Sequence, residues 1–439
     1  MGLKKLLTQS IIWRSFYFFS ILLVNVFLSR YLQAAGTGSL YFLTIIFTFL
    51  QVILSLSADS SVIYFASGNL VERNKLITLT GVWSIVAGIL TSVIVYAYFF
   101  VDAASDKSLI NWYSAFGFFF VCGQSLTNYC VAIYYTKENY FLPNLLLGAV
   151  NIIYVLFIPG AKENHDALHT QWIIFFYFFT FFTGGVLVFL SYAIQYKKES
   201  AMRFPERHLF RQIIRYSLTA LGANAVFFLV YRIDYFFVNY SPVCTAADLG
   251  NYIQVSKLGQ MLLVVPQIIA SVVFPRTASG IEPESLNKAI ITIARIFSQL
   301  FLLMFVVTAI VGKEIFTLVF GETFNKMQLP MLILIPGIFS LSLLALLSAY
   351  FGGKGKIKIN LYAAIVGLVV MITGDFIFVP RYGIIAAAAI STLSYMANVG
   401  YSMWQFHKDF EIKWFEFFRW KKEDYNWLFS FFKFNKAEE

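Results

Sequence analysis

The feature that most constrains this chain is a succession of apolar stretches, each about as long as a helix that crosses a bilayer. Such a helix needs about 20 predominantly apolar residues. With 59% hydrophobic residues, 13% charged residues and a mean hydropathy of +0.72, the 439-residue chain has too little polar surface to cover a soluble globule. The sequence therefore predicts an all-α integral membrane protein with about 12 spans, near residues 9–32, 39–66, 76–100, 109–135, 141–159, 170–195, 210–240, 247–275, 287–311, 327–351, 358–379 and 382–405.

Loop charges predict the orientation of these spans. Fifteen Lys and Arg residues fall on one side and six on the other, before the basic C-terminal tail is counted. This is the positive-inside pattern, and together with an even number of spans it predicts that the N- and C-termini are both cytoplasmic. The net charge of +10 then reflects topology. Nucleic-acid binding is not expected, because no basic soluble domain is present to carry it.

The longest polar connection between spans, from Gln195 to about Phe210, separates six spans from six. It predicts two pseudo-symmetric six-helix lobes, residues 1–200 and 201–405. Both lobes place small residues and Gly before an aromatic residue where their first two spans meet, and repeats of this kind are a common transporter plan. Independent selection of short turns is the alternative.

Residues 406–439 do not form a span, because charged residues interleave with aromatic ones. Phe410, Trp414, Phe417 and Phe418 share a helical face, which predicts a cytoplasmic tail of one or two amphipathic helices lying on the leaflet. Docking of the tail onto a partner protein is the alternative.

The short connections argue against an enzyme. Even the longest inter-span loops have only about fifteen residues, too few to fold as a catalytic domain. They carry no HExxH, P-loop or GxSxG motif, and the three cysteines form no ligand cluster. We therefore predict no catalytic residues, no metal site and no cofactor. A membrane polymerase or ligase is the alternative from another class, but such enzymes tend to carry a large outer loop.

Polar residues aligned on single helix faces predict a cavity. In the second span, Thr44, Thr48, Gln51, Ser55 and Asp59 follow at spacings of four, three, four and four, within a stripe about 80° wide. A helix that faced only lipid would not keep such a stripe. Polar contact between packed helices is the alternative, and it weighs most for the fourth span, which aligns Gln124 with Asn128.

Charged side chains inside the apolar spans favour the same interpretation, because an ionised group in hydrocarbon costs at least about 2.5 kcal/mol. Arg14 shares a helical face with Asn25. Lys257 lies on a polar edge with Gln254, about 13 Å in from the outer end of its span. Both cations are therefore candidates for the lining of a polar path.

The other intramembrane charges carry different expectations. Arg232 and Asp234 point about 160° apart on one helix, so one should face the cavity and the other a neighbouring helix. Arg215 and Arg295 lie close to the cytoplasmic end and should reach phosphate headgroups. Asp375 lies near the outer end of its span, where interfacial water would hydrate it. The predicted substrate-binding residues of the cavity are Arg14, Asn25, Gln51, Asp59, Gln124, Asn128, Arg232, Asp234, Gln254 and Lys257.

Several motifs, in order and spacing, resemble the Wzx-type polysaccharide flippases of the multidrug/oligosaccharidyl-lipid/polysaccharide (MOP) exporter superfamily. The resemblance covers almost the whole chain. Gln33 replaces the family's usual first Gly at the joint of the first two spans, and Asp375 stands where the family often has Asn, so no role is carried over to it. The motifs are SRYLQAAGTGSLY, SADSSVIYFAS, RIDYFFVNYSPVCTAADLGNYIQ, FPRTASG, IFTLVFGETFNKMQLPMLIL and DFIFVPRYGIIAAAAISTLSY.

The resemblance implies a MATE-like, V-shaped pair of lobes around a cavity lined chiefly by spans 1, 2, 7 and 8, which opens alternately to each side. It implies that the protein flips an undecaprenyl-pyrophosphate-linked oligosaccharide across the bacterial cytoplasmic membrane for surface polysaccharide biosynthesis. Arg14, Arg232 and Lys257 would then hold the pyrophosphate. We expect a monomer in the lipid bilayer, with a polysaccharide polymerase and glycosyltransferases as possible partners.

Two related functions remain open. A drug or metabolite extruder of the same superfamily, driven by sodium ions or protons, commonly carries an acidic residue in its first span, whereas this span has Arg14 and no carboxylate. A lipid II flippase usually carries two more spans than this sequence predicts.

Overall fold

The computed structural model describes residues 3–67, 70–101, 109–158, 167–196, 203–278, 283–410, 414–417, 419–421 and 424. This part of the chain is almost entirely helical and contains no strand, as predicted. Two short 3-10 segments, Glu322–Phe324 and Trp414–Phe417, complete it. The helices are α1 (Leu3–Leu54), α2 (Ala58–Ser67), α3 (Arg73–Val101), α4 (Ile110–Thr136), α5 (Phe141–Leu156), α6 (Ala167–Gln195), α7 (Arg207–Asn239), α8 (Ala246–Leu262), α9 (Val264–Ala278), α10 (Pro283–Phe320), α11 (Gln328–Gly353) and α12 (Ile357–Phe410).

Nine helices within these ranges are long and apolar enough to cross a membrane, so the protein is a multi-pass membrane protein. Two of them are more than twice the necessary length: α1 has 52 residues and α12 has 54. Each is kinked near its middle, at Gln33 (φ 59°) and at Gly383 (φ 58°). The sequence predicts a turn between residues 32 and 39, but the structure changes direction at one residue, Gln33. Ala34 and Ala35, which follow it, favour helical geometry and so resume the helix at once.

The second predicted span, residues 39–66, is not one helix. α1 ends at Leu54, and the chain resumes helical geometry only at Ala58. Between them Leu56 and Ser57 have φ values of 52° and 53°, in the left-handed region. The prediction of a continuous helix, and of one stripe reaching Asp59, was therefore wrong.

Neighbouring helices donate hydrogen bonds to two backbone carbonyls at the break. Trp83 Nε1 donates to the Leu54 carbonyl at 2.9 Å, and the Tyr129 hydroxyl donates to the Ser55 carbonyl at 3.2 Å. Irregular backbone at membrane depth requires such partners, because lipid offers none. The predicted span 247–275 is likewise divided, since α8 ends at Leu262 and α9 begins at Val264.

The chain divides into two compact units, Met1–Ala225 and Val226–Glu439. In the first unit α4 packs against α3 and α6, and in the second α11 packs against α9, α10 and α12. The apolar segments of α4 and α11 are 72% and 67% buried, more than those of the other apolar helices in the described residues. The division falls inside α7, and the lobe boundaries predicted at residues 200 and 405 stay a prediction.

Aromatic side chains fill the interior of the first unit. The Phe116 and Phe178 rings stack at 4.9 Å, and Phe47 meets Phe178 edge-on at 5.5 Å. Such pairs add stability beyond the area that they bury. Part of the 19% aromatic content thus serves helix packing as well as lipid contact.

The described part of the C-terminal tail packs onto α10 through a buried arginine. Arg295 is 5% exposed. Its Nε donates to the Glu416 carbonyl at 2.7 Å, its Nη2 bonds the Glu416 carboxylate at 3.0 Å, and its Nη1 lies 3.4 Å from Asp424 Oδ1. The expectation that Arg295 reaches lipid headgroups was wrong, because the tail supplies its counter-charges from inside the fold.

Two further contacts hold this segment. Trp420 Nε1 donates to Ser298 Oγ at 2.9 Å, and the buried Phe417 ring lies 6.1 Å from Phe406. Phe417 therefore faces protein rather than lipid. Most of residues 406–439 lies outside the described residues, so the amphipathic character of the whole tail stays a prediction.

Candidate functional site

A buried carboxylate, Asp234 of α7, lies at the meeting point of three helices in the second unit and is 1% exposed. Its Oδ2 accepts hydrogen bonds from the Tyr252 hydroxyl of α8 at 2.5 Å and from Ser391 Oγ of α12 at 3.1 Å. Its Oδ1 accepts from the Tyr235 backbone N–H at 2.9 Å. The carboxylate is thus fixed by oxygen and nitrogen donors from α7, α8 and α12.

A second carboxylate, Asp375 of α12, is fully buried within electrostatic range of Asp234. Neither of its oxygens has a hydrogen-bond partner among the described residues. The expected hydration of Asp375 was wrong, because α12 continues through Gly383 and its second half covers the first, with Ile390 packed against Gly374. An unpartnered buried carboxylate is costly unless it takes up a proton or a cation.

The two cations predicted on α7 and α8 lie within electrostatic range of each other. Arg232 donates to the Tyr235 hydroxyl at 3.0 Å and to Gln260 Oε1 at 2.6 Å, which are both uncharged acceptors. Lys257 is half-buried. As the two-residue spacing predicts, Arg232 and Asp234 take different partners, although both belong to the same unit.

Gln254 lies one turn before Lys257 on α8 and is fully buried. Neither its amide nitrogen nor its amide oxygen has a hydrogen-bond partner in the described part of the chain. Buried amides normally find partners, so α8 carries unused hydrogen-bonding capacity next to the cations.

In the first unit, the predicted residues of α1 are held by neighbouring aromatic side chains. The Arg14 guanidinium lies 5.6 Å from the centre of the Tyr135 ring, a cation–π geometry. Tyr135 in turn donates to Asn144 Oδ1 at 3.2 Å. Asn25 is buried and its Oδ1 accepts a hydrogen bond from the Tyr41 hydroxyl.

The other predicted residues of this unit are distributed over α1, α2 and α4. Gln124 Nε2 donates to Asn128 Oδ1 at 3.1 Å, one turn along α4. Gln51 is buried in α1, whereas Asp59 lies in the first turn of α2. The stripe hydroxyls bond within their own helix, as Thr48 Oγ1 does to the Thr44 carbonyl at 2.7 Å. These contacts fit helix packing as well as a cavity lining.

Three residues of the carboxylate cluster are not among the predicted site residues: Tyr252, Ser391 and Asp375. A signal existed for Asp375, since a carboxylate in an apolar span needs an explanation. A weaker signal existed for Ser391, which shares a polar helix face with Asn398 and Ser402. None existed for Tyr252, whose role depends on packing. In the described residues no group of three or more His, Cys, Asp and Glu side chains is placed to hold a metal ion.

No family model matches the sequence, and no curated protein matches it significantly. The comparison of structures gives clear matches. Lipid II flippase MurJ, in an inward closed conformation, is 15% identical with a TM-score of 0.70 over 98% of this chain and 94% of its own. A multidrug resistance MATE family transporter of the MOP superfamily, facing inward, is 15% identical with a TM-score of 0.67 over 91% of this chain and 98% of its own.

A third match is the Vibrio cholerae MATE transporter VcmN in its bent form, 13% identical with a TM-score of 0.63, over 95% of this chain and 99% of its own. The protein therefore has the fold of the MOP superfamily transporters. These structural neighbours are transporters and flippases, not enzymes.

Proposed function

We propose that this protein flips a lipid-linked oligosaccharide, joined to its polyprenyl carrier by a diphosphate, across the bacterial cytoplasmic membrane by alternating access. The observation that carries the proposal is the pair of cations in the second unit, Arg232 and Lys257, half-buried on α7 and α8 within electrostatic range of each other. Because Arg232 hydrogen-bonds to uncharged acceptors, its charge is available to an anionic ligand. The fold of a flippase and transporter superfamily supports movement rather than chemistry.

The proposal assigns distinct roles to the predicted residues. Arg14, Arg232 and Lys257 would hold the diphosphate, since charge pairing strengthens in a low-dielectric site. The buried Gln254, with its unused amide, would hydrogen-bond a sugar hydroxyl. The remaining sugar contacts would come from residues of the first unit: Asn25, Gln51, Asp59, Gln124 and Asn128.

The helix lengths support the predicted topology. α1 and α12 each hold two crossings on either side of a kink, and α5, at 16 residues, is short but apolar. We propose twelve crossings in two six-helix lobes, a count that these helix lengths support, and both termini in the cytoplasm, which the loop charges favour. We propose that the protein acts as a monomer beside the polymerase and glycosyltransferases of its pathway.

The carboxylate cluster provides a means of coupling. Asp234, Asp375, Tyr252 and Ser391 present oxygen atoms only, and such a set suits a hard monovalent cation or a proton. We propose that cation uptake at Asp234 and Asp375 drives the return of the transporter. The cluster has no third acidic, His or Cys ligand among the described residues, which argues against a transition metal.

The test is loss of surface polysaccharide. Lys257→Ala and Arg232→Ala should each abolish its export while the protein level in the membrane stays normal, because the diphosphate loses a charge partner. Arg381→Ala, which removes an exposed cation, should leave export unchanged. Full export in both cavity variants would overturn the proposed site.

The buried carboxylates also favour a second candidate, a sodium- or proton-coupled extruder of drugs or metabolites. Surface polysaccharide decides between the two, because deletion of an extruder would leave the polymer intact and raise drug sensitivity. A lipid II flippase is also compatible with the fold, and the alignment over 94% of MurJ means that length does not separate the two chains. Arrest of peptidoglycan synthesis on depletion would identify that activity.

A further inference from the structure

Arginines occur at every fourth position where the chain enters α7. They are Arg203, Arg207, Arg211 and Arg215, and all four are exposed. The last three lie on one side of α7, because a spacing of four residues turns a helix by only about 40° beyond a full turn. From Arg207 to Arg215 the row extends about 12 Å along the helix axis, from the predicted cytoplasmic end into the membrane-spanning segment.

The nearest acidic residue in the sequence does not neutralise this row. Glu206 is turned away and bonds Lys75 of α3 at 2.6 Å, and Lys75 also lies 3.3 Å from Glu72. The Lys75 hydrogen bond lowers the pKa of Glu206, so this carboxylate stays ionised and engaged. Among the residues that the structure describes, Arg207, Arg211 and Arg215 have no ion-pair partner.

A row of arginines without acidic partners destabilises its own helix through repulsion between like charges. Like charges four residues apart destabilise a helix by about 0.2–0.5 kcal/mol for each pair. Each guanidinium also presents a planar fork of donors that matches phosphate oxygens. Repeated arginines on one exposed helix face thus indicate an external anion with more than one phosphate-type charge.

An apolar cavity lies beside the row, within the first unit. It is lined by Leu56 at the break between α1 and α2, by Leu76 and Trp83 of α3, and by Ile213 and Ser217 of α7. Phe210 and Ile214 of α7 also line the cavity, and at 100° per residue they lie about 20–100° round the helix from Arg207 and Arg211.

Two aromatic side chains lie close in sequence to lining residues of this cavity, since Tyr64 is two residues from Val62 and Tyr216 precedes Ser217. Tyr64 of α2 and Tyr216 of α7 stack at 4.7 Å, and both are exposed. The start of α7 thus combines exposed arginines, one ring of a stacked tyrosine pair and side chains that line an apolar cavity. This arrangement is complementary to an amphiphile with an anionic head and a long hydrocarbon chain.

We propose that Arg207 and Arg211, with the apolar cavity beside them, form a recruitment site that takes the diphosphate head of the polyprenyl carrier from the cytoplasmic leaflet before it reaches Arg232 and Lys257. Arg215 continues the cationic row deeper into the membrane. The inference rests on the proposed function. A diphosphate is favoured over an ordinary phospholipid head because the two exposed arginines offer two charges, and a phosphodiester would satisfy one.

The experiment uses the full chain in nanodiscs of phosphatidylcholine, with undecaprenyl diphosphate as the probe. Arg207→Gln/Arg211→Gln should weaken its binding at least about tenfold, since hydrogen bonds to charged groups contribute strongly. The matched control, Lys288→Gln/Lys358→Gln, removes two exposed cations of the same predicted side and should change the affinity less than about twofold. Arg207→Lys/Arg211→Lys should be intermediate, because it keeps the charge and loses the fork.

Competition separates the possible sources of the anion. Undecaprenyl diphosphate should be displaced by neither phosphatidylglycerol nor inorganic pyrophosphate at equal concentration. Displacement by phosphatidylglycerol would show a general lipid anchor and overturn the proposal. Displacement by inorganic pyrophosphate would show that the apolar cavity takes no part, which also overturns it.

A cavity variant distinguishes failure here from failure of the proposed function. If Arg232→Gln/Lys257→Gln loses binding while Arg207→Gln/Arg211→Gln binds normally, the recruitment site is wrong and the flippase proposal stands. If the unaltered protein binds no polyprenyl probe, both are wrong.

Discussion

Gln33 occupies a backbone conformation that is almost confined to glycine. Its φ of 59° and ψ of −179° direct α1 through its kink, as Gly383 does for α12 with φ 58° and ψ −139°. A side chain in this region costs about 1–3 kcal/mol. Because Gln33 carries a side chain where Gly383 has none, α1 holds strain that α12 avoids.

Gln33→Gly should therefore stabilise the protein by about 1 kcal/mol or more, because the strain is relieved without loss of a buried contact. The thermal midpoint of the purified protein in detergent would report it. Ala35→Gly, at an exposed helical position of α1, should lower the midpoint instead. A lower midpoint for Gln33→Gly would mean that the Gln33 side chain contributes more than its backbone costs.

Asp375→Asn should have opposite effects on stability and on the coupling of transport to a cation. Removal of a buried carboxylate that has no hydrogen-bond partner among the described residues should raise the thermal midpoint, since Asn carries no charge to desolvate. The same change should abolish the dependence of transport on sodium ions or pH in proteoliposomes.

The control for Asp375→Asn is Asp409→Asn, whose carboxylate pairs with Lys356 at 2.8 Å near the end of α12. This variant should keep the cation dependence of transport. If Asp375→Asn also keeps that dependence, the proposed coupling site is wrong.

At the scale of the element, hydropathy locates the helices but not their interruptions. The break after Leu54 depends on Trp83 and Tyr129, which lie 29 and 74 residues from the carbonyls that they satisfy. No local pattern contains those partners. The predicted stripe failed at Asp59 for the same reason, because helical periodicity assumes an unbroken axis.

Contact between α4 and α6 depends on a glycine. A Cβ added to Gly123 would lie 2.3 Å from the backbone carbonyl of Phe181, which has no room to move. Small residues let membrane helices approach closely. Gly123→Ala should therefore destabilise the protein by about 1–3 kcal/mol, as overpacking does.

The matched substitution is Gly222→Ala, where a Cβ would meet nothing within 4 Å. It should leave the thermal midpoint unchanged or slightly raised, since alanine favours a helix. Equal destabilisation by both variants would show that helix flexibility, not close packing, is what the glycines provide.

At the scale of the whole molecule, each unit contains a buried hydrogen bond from a tyrosine hydroxyl to a polar side chain, which is an uncharged amide in the first unit and a carboxylate in the second. The Tyr41 hydroxyl bonds Asn25 in the first unit, and the Tyr252 hydroxyl bonds Asp234 in the second. The sequence predicted a repeated plan from its span count and its joints. It could not pair these residues, because the pairing depends on how helices lie against one another.

The described residues of the C-terminal tail bond to α10 through Arg295, which contacts both Glu416 and Asp424. Arg295→Ala would leave Asp424, which is 3% exposed, without its charge partner. Loss of one member of a buried ion pair costs about 3–5 kcal/mol, so the variant should melt lower and its tail should be cut sooner by protease. Arg419→Ala, at an exposed position of the same segment, should do neither.

The depth of Asp234 has an electrical consequence. In the predicted orientation it lies five residues, or about 8 Å, from the outer end of α7. A cation that reaches it from outside crosses about a quarter of the hydrocarbon thickness. A full crossing is worth about 2.3 kcal/mol per 100 mV, so occupancy would respond to voltage even with equal cation concentrations on both sides. With equal sodium concentrations on both sides of a proteoliposome membrane, a voltage step should therefore produce a transient current as cations enter or leave the site at Asp234.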